Sequence, residues 1–558
     1  AVLILVLLGG IVTALVLSAK NKDDNTGGAI TTNGIECAAI GKSIMNAGGS
    51  VADVAITTIL CEGITCPQSS GLGGGFLLTI YIKSTGALET LNAREVAPKL
   101  ATPTMYINNT LGSSSSGGLA VAVPGELKGL WELHQKYGKL PWASLIEPVI
   151  KLAREGHVVS PYLSNIFANA QTRLLNEPTL REIYIDPNTN QTYKLGEKIK
   201  RLKLAETLEI IAKEGVDCLY SLNGSLTRNL VNEIKARNGI VTEEDFLDYK
   251  VRWRVPVSAK LNDDSIFHTF PLPSNGAIMV FMLNLLKNYE LKHDALSYHR
   301  ITEAFKFAYA KRTVLGDEPS DEIIEMMRNL TSVEYANEIR RLINDEGTSQ
   351  DFEYYGAKYE ATEDHGTAHL SILMPNGDAV AATATINFLL GAFWRSESTG
   401  IIMNNEMDDF STPGAVNIYG IPASPANYIQ PGKNPLSSMA PSILVDKEGN
   451  PTLVIGGAGG SRIPTGVGFT LIKHLFMGET LKDAIGSRRL HHQLAPMELL
   501  YETGFDSAIV TELQAKYGHV MVENPPDGGF AAVVGISKKN GEIEGVIDPR
   551  RGGGVEIF

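Results

Sequence analysis

"EDHGTAHLS" (363–371) joins two unlike stretches of chain, and its reading decides the fold. Behind it, residues 345–366 carry seven acidic residues against one Lys, with scattered Gly and little apolar periodicity. A long connection without regular structure is expected there, and such connections are usually functional or mobile. Ahead of it the chain reads as strands: "TAHLSILM", "DAVAATATIN", "APSILVD", "TLVIGGAGG" and "FAAVVGISK". The junction is either a loop meeting a strand or a bond meant to be cut. In the second reading the Gly366–Thr367 bond breaks and Thr367 becomes a new N-terminus. A free α-amino group has a pKa near ~7.7–8.0, so part of it is an unprotonated base at neutral pH. Thr367 would then supply nucleophile and base from one residue. Gly366 suits the cut because a residue without Cβ tolerates strained φ/ψ and leaves its carbonyl open to attack. Gly-Thr alone is weak evidence, and the rest of the chain has to decide.

Downstream, "AATATINFLLG" puts Thr383, Thr385 and Asn387 on one face of a strand, with Ala and Ile on the other. The plain reading is a solvated strand, but the apolar "FLLGAFW" that follows favours the interior. "NNEMDDF" (404–410) spaces Glu406 and Asp409 three apart, on one side of a helical turn. They are either a solvated acidic turn or paired acceptors for an ammonium group. "PLSSMAPS" offers adjacent hydroxyls, Ser437 and Ser438, just ahead of a strand. "LVIGGAGGSRIPTG" runs a strand into a glycine loop and then a helix, with Pro464 in its first turn. The loop matches neither GxxxxGK[ST] nor GxGxxG, so its N–H groups at Gly459 and Gly460 suit an oxyanion better than a phosphate. Upstream, Arg94 in "LNAREVAP" is either a surface ion pair or a bidentate carboxylate clamp.

The 558 residues are 44% hydrophobic and 20% charged, with a formal charge of -13. That balance supports a large buried core and gives no basic excess with which to bind nucleic acid. Helical periodicity is expected over 125–137, 141–155, 203–214 and 297–313, and around a break at Gly48-Gly49 with Ser50 and Asp53 as a cap. "GGGFLLTIYI" (73–82) reads as a turn entering a buried strand. Helical segments first and strands afterwards, with few linker signals, predict one α/β or α+β body.

Residues 1–19 contain no charge, and as a helix they would span roughly 28 Å, close to the ~30 Å core of a bilayer. A membrane anchor is expected there in preference to a shorter, cleaved signal peptide. The chain opens at Ala1 without Met, so a segment is expected before it, and residues 20–36 are expected as a stem. Sequons start at Asn108, Asn190, Asn223 and Asn329, which fits a glycosylated extracellular body. Four cysteines (Cys37, Cys61, Cys66 and Cys218) allow one or two bridges and form no CxxC. No metal site and no cofactor are expected.

"DHGTAHLS", "TATIN", "NNEMDDF", "QPGKNPLSSM", "GGAGG" and "NAREVAP", in this order of chemistry and spread from Cys37 to "DPRRGGG", resemble the γ-glutamyltransferase (γ-glutamyl transpeptidase) family, with wording similar to its animal cell-surface members. The resemblance implies an N-terminal-nucleophile hydrolase with an αββα sandwich. It implies self-cleavage into a large chain, 37–366, and a small chain, 367–558, paired as a heterodimer. It makes Thr367 the nucleophile that forms a γ-glutamyl ester, Thr385 its positioning partner, and Gly459 and Gly460 the oxyanion hole. Arg94, Ser437 and Ser438 would hold the donor's α-carboxylate, and Asn387, Glu406 and Asp409 its α-amino group. The substrates implied are glutathione and other γ-glutamyl compounds, with water, amino acids or dipeptides as acceptors. Each of these positions carries the residue type the family pattern expects. A Cys37–Cys61 disulfide is also implied, whereas Cys66 and Cys218 either pair with each other or stay free.

Competing chemistries lack their motifs. There is no G-x-S-x-G elbow, and His365 and His369 have no Glu between them. His491-His492 is expected at a structural turn or helix end. An uncleaved binding or scaffold protein, or an acylase for another amide, remains as the alternative.

Overall fold

A computed structural model describes residues 27–107, 113–317, 319–359, 366–415, 421–525 and 529–558. Two sheets lie at its centre. The first runs, edge to edge, through Gly554–Ile557, Ala29–Thr32, Gly366–Leu373, Ala379–Asn387, Gly75–Ile82, Ala87–Ala93 and Arg252–Arg254, all antiparallel. The second runs through Glu542–Val546, Ala532–Lys539, Pro451–Ala458, Ser442–Val445, Ile266–Thr269 and Val257–Lys260.

Alternation along two central strands explains the stacking. Leu370, Ile372, Val380, Ala382 and Ala384 face outward, into a core shared with the Val51–Thr65 and Glu126–Tyr137 helices. Leu373, Ala379 and Ala381 face inward, against Ile443, Val454 and Ile536 of the second sheet. That sheet is covered in turn by the Gly276–Leu286 and Ile463–Leu475 helices through Met279, Leu283, Val467 and Leu471. The layers are helix, sheet, sheet, helix. Both of these strands are buried along their whole length, so the Thr383–Thr385–Asn387 face is interior, not a solvated strand surface.

Most local expectations hold. Helices span Glu126–Tyr137, Trp142–Glu155, Leu202–Glu214 and Ala295–Arg312. Ser50 and Asp53 form a reciprocal capping box at the second of the two early helices, each accepting the other's backbone N–H. Cys37 and Cys61 are disulfide-bonded, tying these two helices together, while Cys66 and Cys218 are free and buried.

Three expectations change. The stem was expected to run to residue 36, but Ala29–Thr32 is a fully buried strand between Gly366–Leu373 and Gly554–Ile557. Its polar neighbours hide a β-prone Ile-Thr-Thr run, whose partners lie more than 300 residues away. Strands do not all follow the helices, because both sheets take strands from either side of residue 366. Residues 345–359 are also not shapeless: a short helix spans Phe352–Tyr355, capped by Asp351 and ended by Gly356 in the left-handed region.

The apolar stretch 1–19 lies outside the described residues. Among the described residues no helix is long and apolar enough to cross a membrane. Asn190 and Asn223 are exposed and Asn329 is half-buried in the Asp321–Thr331 helix, while Asn108 lies outside the described residues.

Candidate active site

Thr367 sits near the start of a central strand, where the pairing slips. Gly366 faces Asn387 and Ala368 faces Ala384, so Thr385 and Ile386 together oppose Thr367. Such a bulge re-aims side chains and is common beside active sites. Here it turns the Thr385 hydroxyl onto the Gly366 carbonyl oxygen, the carbonyl of the bond expected to be cut. The resemblance makes Thr385 the positioning partner of Thr367, and its hydroxyl lies on the carbonyl one peptide upstream of that residue. The Thr367 Oγ1 instead accepts the Gly459 N–H at 3.0 Å. Gly459 has φ 139°, and a Cβ there would stand 2.6 Å from Ala531 Cα, so only glycine brings this N–H to the threonine.

Gly366 has a steric reason of its own: a Cβ on it would stand 2.2 Å from the Asn387 carbonyl oxygen. Close approach of two backbones excludes a side chain here.

Arg551, in the C-terminal "DPRRGGG", donates to the Thr367 carbonyl and to the Tyr162 hydroxyl. Its turn is fixed by Asp548, which is held by Arg489 and Arg550 and accepts the Val533 N–H. Two residues beyond Thr367, His369 bonds Thr383 Oγ1 at 2.7 Å and Ser371 Oγ at 3.1 Å, with Gly456 of the facing sheet closed over its ring. Burial pushes His369 down to about 3, so it stays neutral and serves as a packed polar spacer between the sheets.

The charged residues converge on one buried cluster. Arg94 donates to Asp409 at 2.5 Å, pairs with Glu406, and gives its Nε–H to the Pro435 carbonyl at 2.9 Å. Glu406 and Asp409 lie on one 3-10 turn, and both are almost fully buried, which rules out a solvated acidic turn. Asn387 turns its Nδ2 to the Asn405 carbonyl, leaving its buried Oδ1 without a hydrogen-bond partner among the described residues. Burial pushes neighbouring Glu95 up to about 8, against the pull of Arg94, so at neutral pH it adds no charge beside the guanidinium. Ser437 accepts the Met439 N–H, and Ser438 accepts from Arg312 at 3.1 Å.

Asparagines bind these loops to one another. Asn434 donates to the Arg94 and Glu95 carbonyls and accepts from Asn92. Asn427 donates to the Asp409 carbonyl and accepts the Leu436 N–H.

A cavity of about 750 Å³ opens beside Thr367, lined among others by Gly459, Arg462, His491, Phe530 and Arg551. His491 therefore does more than end a turn. It closes the Leu490–His491 strand, bonds Thr465 Oγ1 at 2.6 Å and faces this cavity, kept neutral by burial. Arg551, Arg312, Asn427, Asn434 and His491 were not singled out as site residues from sequence. Arg551 and Asn434 fall within the quoted motifs "DPRRGGG" and "QPGKNPLSSM", but the role of each residue comes from partners elsewhere in the chain.

Taken together, a threonine with an N–H at its oxygen, a carbonyl polarised one residue upstream and a buried cation–dicarboxylate cluster are equipped for acyl chemistry on a small zwitterionic group. Comparison with known proteins agrees. The Gamma-glutamyltranspeptidase family model matches residues 37–558. The chain is 42% identical over 538 residues to "Scoloptoxin SSD14" of Scolopendra dehaani, covering 95% of this chain and 92% of that one. It is 34% identical to mouse "Glutathione hydrolase 5 proenzyme", covering 97% and 95%. Among solved structures, cephalosporin acylase from Bacillus halodurans superposes with a TM-score of 0.81 at 24% identity over 95% of this chain and 96% of that one, a likeness of fold. The fold is the αββα sandwich of N-terminal-nucleophile hydrolases.

Proposed function

The chain belongs to the γ-glutamyltranspeptidase family, and from that premise we propose that it cuts itself at Gly366–Thr367 and then moves γ-glutamyl groups from glutathione and related donors to water, amino acids or dipeptides. The observation that carries the reading is the paired contact at the bulge: Thr385 on the Gly366 carbonyl, and Gly459 N–H on the Thr367 oxygen. A relative named a proenzyme fits the cut.

In self-cleavage the Thr367 oxygen attacks the Gly366 carbonyl carbon. Negative charge grows on the carbonyl oxygen, where the Thr385 hydroxyl already points, so the dipole stabilises the transition state without reorganising. The C–N bond breaks, and the nitrogen takes the proton given up by the Thr367 hydroxyl to become the α-amino group. Water then hydrolyses the Gly366 ester, returning the hydroxyl to Thr367 and leaving Gly366 as a carboxylate. Large chain 37–366 and small chain 367–558 then remain interleaved. Gly366–Leu373 stays hydrogen-bonded to Ala29–Thr32, and Ala379–Asn387 to Gly75–Ile82, so both chains share one sheet. The large chain's body begins with the Ala29–Thr32 strand, before residue 37.

In turnover the freed amine accepts the proton of its own hydroxyl, and the oxygen attacks the donor's γ-carbonyl. N–H groups at Gly459 and Gly460 receive the oxyanion, the amine protonates the leaving nitrogen, and a γ-glutamyl ester forms on Thr367. Water or an acceptor amine resolves it by the reverse steps. The donor's headgroup carries one carboxylate and one ammonium, opposite in sign to Arg94 and to the Glu406–Asp409 pair respectively. Its carboxylate goes to Arg94, Ser437 and Ser438, and its ammonium to Glu406, Asp409 and the Asn387 Oδ1. Every buried charge trades one partner for another, which avoids leaving an ion uncompensated.

A membrane anchor at 1–19 and a glycosylated extracellular body complete the reading, supported by the apolar run and by the exposed sequons at Asn190 and Asn223. Purified protein should release the amine from a γ-glutamyl anilide, faster when a dipeptide acceptor is added, and leave the α-glutamyl isomer intact. Equal hydrolysis of both isomers, or of neither, would refute the donor assignment.

A further inference from the structure

The Ala295–Arg312 helix touches the segment ahead of the cut at regular helical intervals. His299 donates from Nε2 to the Asn344 carbonyl at 2.9 Å, which leaves its Nδ1 to accept from His519 Nε2 at 2.8 Å. Arg300 grips Asp345 with two hydrogen bonds. Glu303 accepts from the Thr348 hydroxyl at 2.5 Å and from the Tyr355 hydroxyl at 2.9 Å. Lys306 donates to Thr348 Oγ1 and to the Ser349 carbonyl, both at 2.6 Å. Phe307 packs edge-on against the Tyr355 ring, and Lys311 donates to the Tyr355 carbonyl at 3.0 Å. Contacts at 299, 300, 303, 306, 307 and 311 meet residues 344, 345, 348, 349 and 355, advancing together along both elements except that the Tyr355 hydroxyl reaches back to Glu303. Two elements therefore lie side by side in register.

Glu303 and Lys306 are both about 1% exposed. Burying such a pair costs desolvation that is recovered only with full hydrogen bonding, and the docked segment supplies it. Burial also holds the Lys306 ammonium down at about 8, with Glu303 pulling it back up. His299, Glu303 and His519 lie close enough together to chelate a cation. However, Glu303 is already met by two hydroxyls and has Lys306 Nζ at 3.6 Å, so docking of the segment accounts for these charges.

The last turns of the same helix reach the site. Tyr309 donates to the Ser461 carbonyl, next to the Gly459–Gly460 loop, and Arg312 donates to Ser438.

We propose that this helix is a positioning rail for self-cleavage, holding residues 344–355 with one set of side chains and the glycine loop and serine pair with the next. Glu303, Lys306 and Tyr355 are positioning residues in this scheme, which rests on the self-cleavage reading. Between Tyr355 and Gly366 lie eleven peptide steps, with a reach of at most ~40 Å. Undocking from residue 344 onward would double that tether, which by loop-closure entropy alone slows the reaction only about 3-fold. Losing alignment of the carbonyl adds more, since a misplacement near 1 Å costs up to ~100-fold. With residues 344–355 docked, this part of the acidic stretch is held against the helix.

The test compares Tyr355→Phe, Lys306→Met and Gly356→Ala with wild type, following conversion of the full-length precursor into two chains. Gly356→Ala disturbs the docking from the segment side, because its Cβ would stand 2.5 Å from Lys311 Nζ at a φ of 75°. Each variant is expected to convert at least ~10-fold more slowly, while the material that has finally cut keeps kcat and KM within about 2-fold. In a Thr367→Ala background, backbone hydrogen exchange over 344–355 is expected to quicken ~10-fold in each variant. Conversion at the wild-type rate, or an equal fall in kcat of the cut enzyme, would overturn the rail. A wild-type chain that never cuts would instead refute the self-cleavage reading and this proposal with it.

Discussion

Replacing Gly366 with alanine puts the idea of a fitted scissile peptide to a severe test. The added Cβ would stand 2.2 Å from the Asn387 carbonyl oxygen, with further contacts at 3.2 and 3.3 Å on the Phe388 and Asn387 carbonyl carbons. Ordinary carbon–oxygen contact needs a little over ~3 Å, and both partners are backbone inside a buried sheet, so one strand end must shift by about 1 Å in this close-packed interior. Overpacking of this kind typically costs about 1–3 kcal/mol of stability. The shift also pulls the Gly366 carbonyl away from the Thr385 hydroxyl. A displacement near 1 Å is worth about 100-fold in rate, so conversion to two chains should slow by roughly that factor. Densitometry of precursor and products over time reads it directly. Gly486→Ala, where a Cβ meets nothing within 4 Å, is the matched control and should convert normally. Gly366→Ala converting within 2-fold of wild type would show that the close approach does not set the carbonyl, and the geometric account of the cut would fail.

Arg94→Ala strands Glu406 and Asp409, both about 1% exposed, and breaking one partner of a buried pair costs ~3–5 kcal/mol; thermal unfolding should show a clear loss, and donor KM should rise while self-cleavage persists. An unchanged donor KM would remove Arg94 from the headgroup site. Gly459→Ala should lower kcat by about 10²–10³-fold, as loss of one oxyanion donor does, with little change in KM; unchanged kcat would place the oxyanion elsewhere. Buried Glu126 is pushed up to about 8 from 4.5 by desolvation, so between those values the folded state holds a proton that the unfolded state has released. Stability should therefore fall by about 1.4 kcal/mol per pH unit per such group as pH rises from ~5 to ~8. Glu126→Gln should flatten that slope in denaturant titrations at several pH values, and an unaltered slope would contradict the assignment.

How much of this was legible in the sequence depends on the range of each interaction. Alternation in 366–373 and 379–387 marked the two central strands, and the Ser50/Asp53 spacing marked a helix start, because both are written within a few residues. The Ala29–Thr32 strand was not visible, since four residues in polar surroundings become a strand only through partners at 370–373 and 554–557. Thr367 and its candidate donors were found from a dipeptide, a glycine loop and a family resemblance. The steric reason for Gly366 was not, because it depends on the backbone of a neighbouring strand. Arg312, Asn427 and Asn434 escaped notice for the same cause: each is unremarkable locally and gains its role from a loop up to 340 residues away.

The most direct measurement is the N-terminal sequence of the smaller chain from purified wild-type protein, run beside Thr367→Ala. The expected result is two chains, the smaller one beginning Thr-Ala-His-Leu-Ser-Ile-Leu, with Thr367→Ala remaining a single uncut chain. A single full-length wild-type chain, a cut at another bond, or normal cutting of Thr367→Ala would contradict Thr367 as the residue that both makes the cut and begins the chain it frees.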